Sequence, residues 1–388
     1  MSSRAEPSTV TEFSLSWRAL ACLVWLSLLG ALVLNIQPVF LGALAEAFSL
    51  SAQQLGFLGG VELGGGALAS LCAPFWFARA RLRNIALFAI IVLVLGNLVT
   101  TWVADFRLLL LVRFCCGFFG SGVIYAMSLG LLGQMPKPDR VMAIGIVCQV
   151  LSLIIGMLTI PTLLAHWQLP GMTLVLTALF ATGLFVLPLI PERSDGAEAA
   201  AGGVKAVASI QFLPAALLIS MLLFSIGLSG LWAFLERIGD SAGFAMIDIG
   251  NGLAIAGLMG GCGALLAAFI DLRFGRLLPL VLGIGGQVGV SLLLATRSDW
   301  DSYLFGAAVF SFCWNLVMPY LLGAIASADR SGRCMVLVPA AQAGGVAIGP
   351  IMAGLFIVGD GYATAGLFSM VVFALCLILV VPLIRRMP

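Results

Sequence analysis

The chain has 388 residues, of which 62% are hydrophobic and only 9% charged, with a mean hydropathy of +1.15 and a formal net charge of +2. A composition this apolar excludes an ordinary soluble domain, and nothing in so small a net charge calls for a nucleic-acid partner. How the charges are distributed is more telling than their sum.

Residues 1–16 are polar and mixed in charge. The apolar stretch that follows is longer than a signal-peptide core and lacks a small-residue cleavage site, so it is expected to remain as a span. Six apolar stretches fall near 18–42, 53–77, 84–103, 107–133, 141–164 and 171–190. A polar Gly/Ala-rich segment occupies about 191–211, and a second six lie near 212–235, 246–270, 277–296, 302–326, 334–358 and 361–383. Each stretch suffices to cross a hydrocarbon core of roughly 30 Å at about 1.5 Å per residue. The expectation is an all-α polytopic membrane protein of twelve transmembrane helices in two six-helix bundles. Residues 1–190 and 212–388 form the bundles, and 191–211 form a flexible cytoplasmic linker.

With both termini placed in the cytoplasm, fifteen Lys and Arg residues face that side, and only Arg107, Arg237 and Arg297 face outward. The bias holds loop after loop, as the positive-inside tendency requires, and points to a multi-pass protein of a plasma membrane such as a bacterial inner membrane. Nine cysteines lie in or at the edges of spans with no Cys-x-x-Cys pair, so they read as packing residues. With one histidine, His166, in an expected outer loop, no metal site is expected. No cofactor is expected either. A Walker-type Gly-rich loop is missing from the sequence, which argues against direct drive by ATP.

The halves share traces of one plan. Asp105 and Asp301 open the fourth and tenth stretches, Tyr125 and Tyr320 lie at matching depths, and Arg140 and Arg333 precede the fifth and eleventh. Internal repeats of this kind mark secondary transporters, whose solute site lies between repeats near the midplane.

Three local patterns extend this. Asp271-Leu-Arg273-Phe-Gly275-Arg276 follows the eighth stretch, Arg113-Phe-Cys-Cys-Gly117 lies in the fourth, and Gly344-Gly-Val-Ala-Ile-Gly349-Pro350 lies in the eleventh. On these residues and the span count, the chain resembles the major facilitator superfamily over essentially its whole length. The resemblance implies alternating access between two bundles, with the loop of Asp271, Arg273, Gly275 and Arg276 as a charge latch. It also implies a role in proton coupling for the Arg113 segment, and it leans toward export through the Gly-Pro segment. Two departures stand out: Asp271 is one residue further from Gly275 than in the family pattern, and the first-half loop Ala78-Arg-Ala-Arg-Leu-Arg83 lacks both the acid and the glycine. Arg79, Arg81 and Arg83 therefore read as topogenic.

By this assignment two ionisable residues lie within spans, Glu62 and Arg113, at similar depth and with opposite sign. A charge there costs at least about 2–3 kcal/mol, so it faces a partner or a water-filled cavity. Either they form an ion pair that pins two helices, or they serve coupling and substrate binding. Burial favours the neutral carboxyl and a nearby guanidinium favours the carboxylate, so opening to either side would alter proton affinity. Asn35 and Gln37, Tyr125, Gln149, Trp232, Asn251, Trp314, Asn315, Tyr320 and Gln342 are the mid-span candidates for a cavity lining. Because the family lines its cavity chiefly with spans 1, 4, 7 and 10, Asn35, Tyr125, Trp232, Trp314, Asn315 and Tyr320 are the expected substrate contacts.

The function expected is secondary active transport of a small organic solute, anionic or aromatic, coupled to protons, by a functional monomer in the lipid bilayer. The alternative is a transport-inactive sensor or scaffold that keeps the same fold. A membrane enzyme is disfavoured, because the spans hold no His cluster, no Ser/His/Asp set and no paired carboxylates.

Overall fold

The computed structural model describes residues 17–77, 81–103, 105–135, 138–190, 192, 212–329, 333–359 and 361–387. The linker 191–211 apart from Glu192, and Arg4, Arg79, Lys137, Arg193, Lys205 and Arg330, lie outside the described residues. The described residues are helical with short turns. Helix α1 runs over Trp17–Asn35 and, past a break at Ile36, over Gln37–Phe48; α2 is Ala52–Trp76, and α3 is Leu82–Thr100. Helix α4 comprises Phe106–Cys115, a π-helical turn at Cys116–Ser121, and Gly122–Leu132. Next comes one helical stretch, Pro138–Ala181, with a non-helical Gln168 inside it.

Among the described residues eleven segments are long and apolar enough to cross a membrane, and one of them, Arg140–Leu189, is 50 residues long. At 1.5 Å per residue it would extend about 75 Å, more than twice a hydrocarbon core. Gln168, at φ 55° and ψ −157°, divides it into α5 (138–167) and α6 (169–181, followed by Gly183–Val186). Twelve crossings result. In the second half α7 is Phe212–Trp232 continued by Leu235–Ser241, α8 is Met246–Ile270, and α9 is Leu277–Thr296. Trp300–Ala328, Arg333–Phe356 and Thr364–Arg385 are α10, α11 and α12.

The helix starts explain part of the internal repeat. Asp105 caps α4 by accepting from the Leu108 N–H at 2.8 Å, and Asp299 caps α10 by accepting from Ser302 at 3.0 Å. The structural counterpart of Asp105 is thus Asp299 rather than Asp301, which lies in the first turn. Donation by Ser302 holds the exposed Asp299 carboxyl below its usual range. The first helix of each half is also interrupted, α1 at Ile36 and α7 at Ala233–Phe234. In α1 the cause is Pro38, which has no N–H to offer the Leu34 carbonyl.

Arg81, Arg140, Arg276, Arg333 and Arg385 stand at helix ends on one side of the bundle, hereafter the basic face. The two bundles meet near the opposite face. There α2 packs on α11, and α5 packs on α8. A Cβ on Gly56 would collide with the Pro350 carbonyl, and one on Gly354 would stand 2.8 Å from the Ala52 carbonyl. This is backbone-on-backbone packing of the kind that small residues permit in lipid. The Gly-Pro segment of α11 thus serves as a seam. On its other flank Gly345 and Gly349 press against Ser225 and Ser229 of α7, and Ser229 donates to the Gly345 carbonyl.

The molecule is therefore sealed at the opposite face. Gly56→Val is expected to lower the melting temperature of detergent-purified protein by about 5 °C, because overpacking a closed seam costs a few kcal/mol. Gly285→Val, at a helix position where nothing lies within 4 Å of an added Cβ, is the control and should leave the melting temperature unchanged. Equal effects in a thermal melt would contradict the packing described.

Candidate functional site

Glu62 and Arg113 meet. Arg113 donates from Nε to Glu62 Oε2 at 3.0 Å and from Nη2 to Glu62 Oε1, a two-pronged ion pair between α2 and α4. Arg113 is 0% exposed and Glu62 3%. The remaining guanidinium edge is also occupied, since Nη1 donates to Asn97 Oδ1 at 3.3 Å and lies 3.5 Å from Thr100 Oγ1. Both partners are oriented by their own helix: Asn97 Nδ2 donates to the Leu93 carbonyl, and Thr100 Oγ1 to the Gly96 carbonyl. The Phe40 ring of α1 covers the cation at 4.7 Å.

The local backbone makes this contact possible. Gly117, four residues after Arg113, lies so close to α2 that a Cβ there would collide with the Glu62 carbonyl oxygen. The π-helical turn at Cys116–Ser121 begins at that point. Such turns locally widen a helix and are common at functional sites. The Arg-x-x-x-Gly pattern therefore has a geometric meaning here: the arginine supplies the charge, and the glycine lets the acid's helix reach it.

A cavity of about 650 Å³ lies beside the pair and runs toward the basic face, reaching Phe77, Gln134 and Pro339. Helices α1, α2, α4 and α11 line it, and its polar wall consists of Glu62, Ser70, Ser121, Tyr125, Gln134 and Gln342. Glu62 is the sole charged residue on that wall among the described residues. Arg113 stands behind it, outside the lining.

Of the expected substrate contacts, only Tyr125 is brought to the cavity. Asn35 faces α5, donating to the Gln149 carbonyl and to Ser152 Oγ. Trp232 Nε1 donates to the Leu34 carbonyl at 3.2 Å, satisfying the acceptor that Pro38 leaves free, and its ring meets Trp314 edge-on at 6.1 Å. That bond joins α7 to α1 across the bundle interface. Asn315 donates back to the Ser311 carbonyl within α10, and the Tyr320 hydroxyl contacts the Ala267 carbonyl of α8 at 3.4 Å. Gln342, which the preference for spans 1, 4, 7 and 10 sets aside, lies on the wall because α11 flanks the cavity.

The loop of Asp271, Arg273, Gly275 and Arg276 lies on the basic face. Gly275 has φ +65°, which favours glycine, and Arg276 donates to Ser327 Oγ at 2.7 Å at the end of α10. Among the described residues no ion pair ties this loop to the first half. In the first-half loop, Arg83 donates to the Pro188 and Ile190 carbonyls and so caps the end of α6, in addition to any topogenic role.

The expectation of only two ionisable residues within spans needs correction. Glu236 is 0% exposed and accepts two bonds from Arg237, at 2.6 and 2.7 Å. Arg237 also pairs with Asp240 at 3.3 Å. Adjacent residues do not face each other on a regular helix. They meet here at the start of the short helix that follows the break in α7, where Gly42 of α1 packs on the Glu236 carboxylate. The apolar stretch ending near 235 masks this extension, although an acid, a base and a second acid follow within five residues. Asn97 and Thr100 are likewise absent from the sequence-derived candidates. Two polar residues three apart in an apolar span share a helix face, and that signal was available.

A Major Facilitator Superfamily sequence model matches residues 23–328. A comparison with curated proteins returned no match. Among solved structures, a point mutant of the nucleoside transporter NupG superposes with a TM-score of 0.72 at 15% identity, covering 94% of this chain and 99% of that one. A bacterial homologue of the human lysosomal transporter Spinster, inward-facing and unoccupied, also gives 0.72, at 14% identity, covering 95% and 96%. At such identities the likeness establishes the fold.

Removing one partner of a buried pair leaves an uncompensated charge, so Arg113→Met is expected to destabilise the protein by about 3–5 kcal/mol. Adding Glu62→Gln should recover at least half of that loss. Additive effects in thermal melts of the single and double variants would show that the two groups are uncoupled.

Proposed function

The chain belongs to the Major Facilitator Superfamily, and on that premise we propose that it is a proton-coupled secondary transporter that carries a small organic solute by alternating access. The observation that carries the coupling is the carboxylate of Glu62 on the wall of a cavity, paired with a guanidinium sealed behind it. Bundles 1–190 and 212–388 rock about the linker 191–211. The basic face lies in the cytoplasm of an inner membrane, with both termini there, in keeping with the positive-inside bias. One chain encloses the cavity, so the monomer is the working unit.

In this cycle Glu62 takes up a proton when its cavity opens to one side and returns it when the other side opens. Water access and the distance to Arg113 both change between the two states, and each alters proton affinity. Protonation weakens the pair, leaving Arg113 held by Asn97, Thr100 and the Phe40 face. That relaxed pair is the bistable element through which proton binding biases the bundles.

The wall chemistry favours a neutral or cationic solute with an apolar body over an anion. Its one charge is negative, the nearest cation is engaged and buried, and much of the remaining surface is Leu, Ala, Val and Phe. Because one similar fold is a nucleoside transporter, uridine is a rational first neutral solute, with choline as a cationic one.

Proteoliposomes under an imposed pH gradient provide the test. Wild-type protein should accumulate solute in response to the gradient. Glu62→Gln should abolish that accumulation while keeping counterflow exchange. A Glu62→Gln variant that keeps the wild-type pH dependence would sink the coupling role, and the absence of both accumulation and exchange in the wild type would favour a transport-inactive sensor.

A further inference from the structure

Gln37 is 1% exposed, and among the described residues neither its amide nitrogen nor its amide oxygen has a hydrogen-bond partner. Buried polar side chains are nearly always satisfied, and an orphaned donor and acceptor together oppose burial. Packing does not explain the residue, since leucine or methionine would fill the same space without that opposition. Its position points elsewhere. Gly30, Val33 and Leu34 of α1 line the cavity, and Gln37 is the next residue along that face, one turn closer to the sealed side. Its amide nitrogen lies 3.1 Å from where a Cβ of Gly59 would stand. Gly59 is three residues before Glu62 on α2, and Phe40, three residues after Gln37, covers Arg113.

The amide is thus placed one helical turn from the ion pair and one turn beyond the cavity lining, against α2. It belongs to a stretch of α1 whose Leu34 and Gly42 meet α7 of the other bundle; those contacts must part when the opposite face opens. We propose that Gln37 is a solute-binding side chain, engaged when the seam parts, for solutes that present a hydrogen-bond donor beside an acceptor, such as an amide or ring imide. Its own donor and acceptor match such an edge in a two-point contact. Solute bound there lies against Glu62, so its departure and the closing of the seam fall in the same step as proton transfer. Re-forming the seam without solute leaves both amide atoms unpaired, which makes the sealed state easier to reopen.

This inference rests on the transport function proposed above, and its test separates the two. The probe is uridine, whose ring imide presents an N–H between two carbonyls, with choline as a solute that has no such edge. Uridine should raise the melting temperature of the wild-type protein, and Gln37→Leu should lose that shift. Gln37→Leu itself should melt about 2–4 °C higher than the wild type, which would confirm that it folds. In proteoliposomes the variant should raise the uridine KM by about tenfold, with choline handling unaltered. A uridine shift of equal size in Gln37→Leu, or none in the wild type, overturns the assignment. Proton-driven choline uptake that survives in such a case would leave the transport function standing; loss of all gradient-driven uptake would remove both.

Discussion

A guanidinium with no contact with water cannot remain in a membrane unless every one of its directions is answered, and the architecture of the first bundle follows from answering them for Arg113. Glu62 supplies the opposite charge from α2, Asn97 and Thr100 supply acceptors from α3, and Phe40 supplies a ring face from α1. Four helices are thereby fixed around one side chain. Gly117 is the geometric condition, since α4 reaches Glu62 only where no Cβ intervenes. Because the acid borders the cavity and the base does not, the pair gives the cavity wall a single charged residue among the described residues.

The second constraint is the seam. Helices α2 and α11 touch through glycine and backbone near the face opposite the basic loops, and Trp232 reaches across from α7 to donate to the Leu34 carbonyl. The acceptor is free because Pro38 has no N–H, so a break in one bundle becomes a bond to the other. Glu236, covered by Gly42, closes the same region with a second acid–base pair. The Leu34 carbonyl and Glu236 are here paired and dry, whereas among the described residues Gln37 and the Ser225 hydroxyl beside Gly345 have no partner. On the basic face, by contrast, the loop around Gly275 is bonded within its own half, and the cavity extends toward it.

Much of this was legible in advance. Span number followed from apolar length, although α5 and α6 run together until Gln168 divides them. Depth and opposite sign singled out Glu62 and Arg113 but left an ion pair and a coupling role as alternatives; the structure joins the two. The cavity lining was less accessible: one ranked residue, Tyr125, reaches it, while Asn35, Trp232, Trp314, Asn315 and Tyr320 serve contacts between or within helices. A polar residue at mid-span can face a cavity, a neighbouring backbone or its own helix, and one-dimensional spacing does not distinguish these directions. Glu236 was hidden for a different reason, because hydropathy ends a span at the first charge even when the helix continues into the interior.

The sequence by itself determined that the chain crosses a membrane twelve times, which face is basic, and that Glu62 and Arg113 lie at similar depth with opposite sign. Those are consequences of transfer free energy along the chain, where each residue contributes according to its type. Only the tertiary structure decided which side of each helix meets water, lipid or another backbone. It put Arg113 behind Glu62 rather than in the cavity, replaced α7 and α10 by α2 and α11 along the lining, and left the Gln37 amide unpaired against α2. Those outcomes depend on helix rotation and on where glycine lets backbones touch, quantities that many distant residues set together.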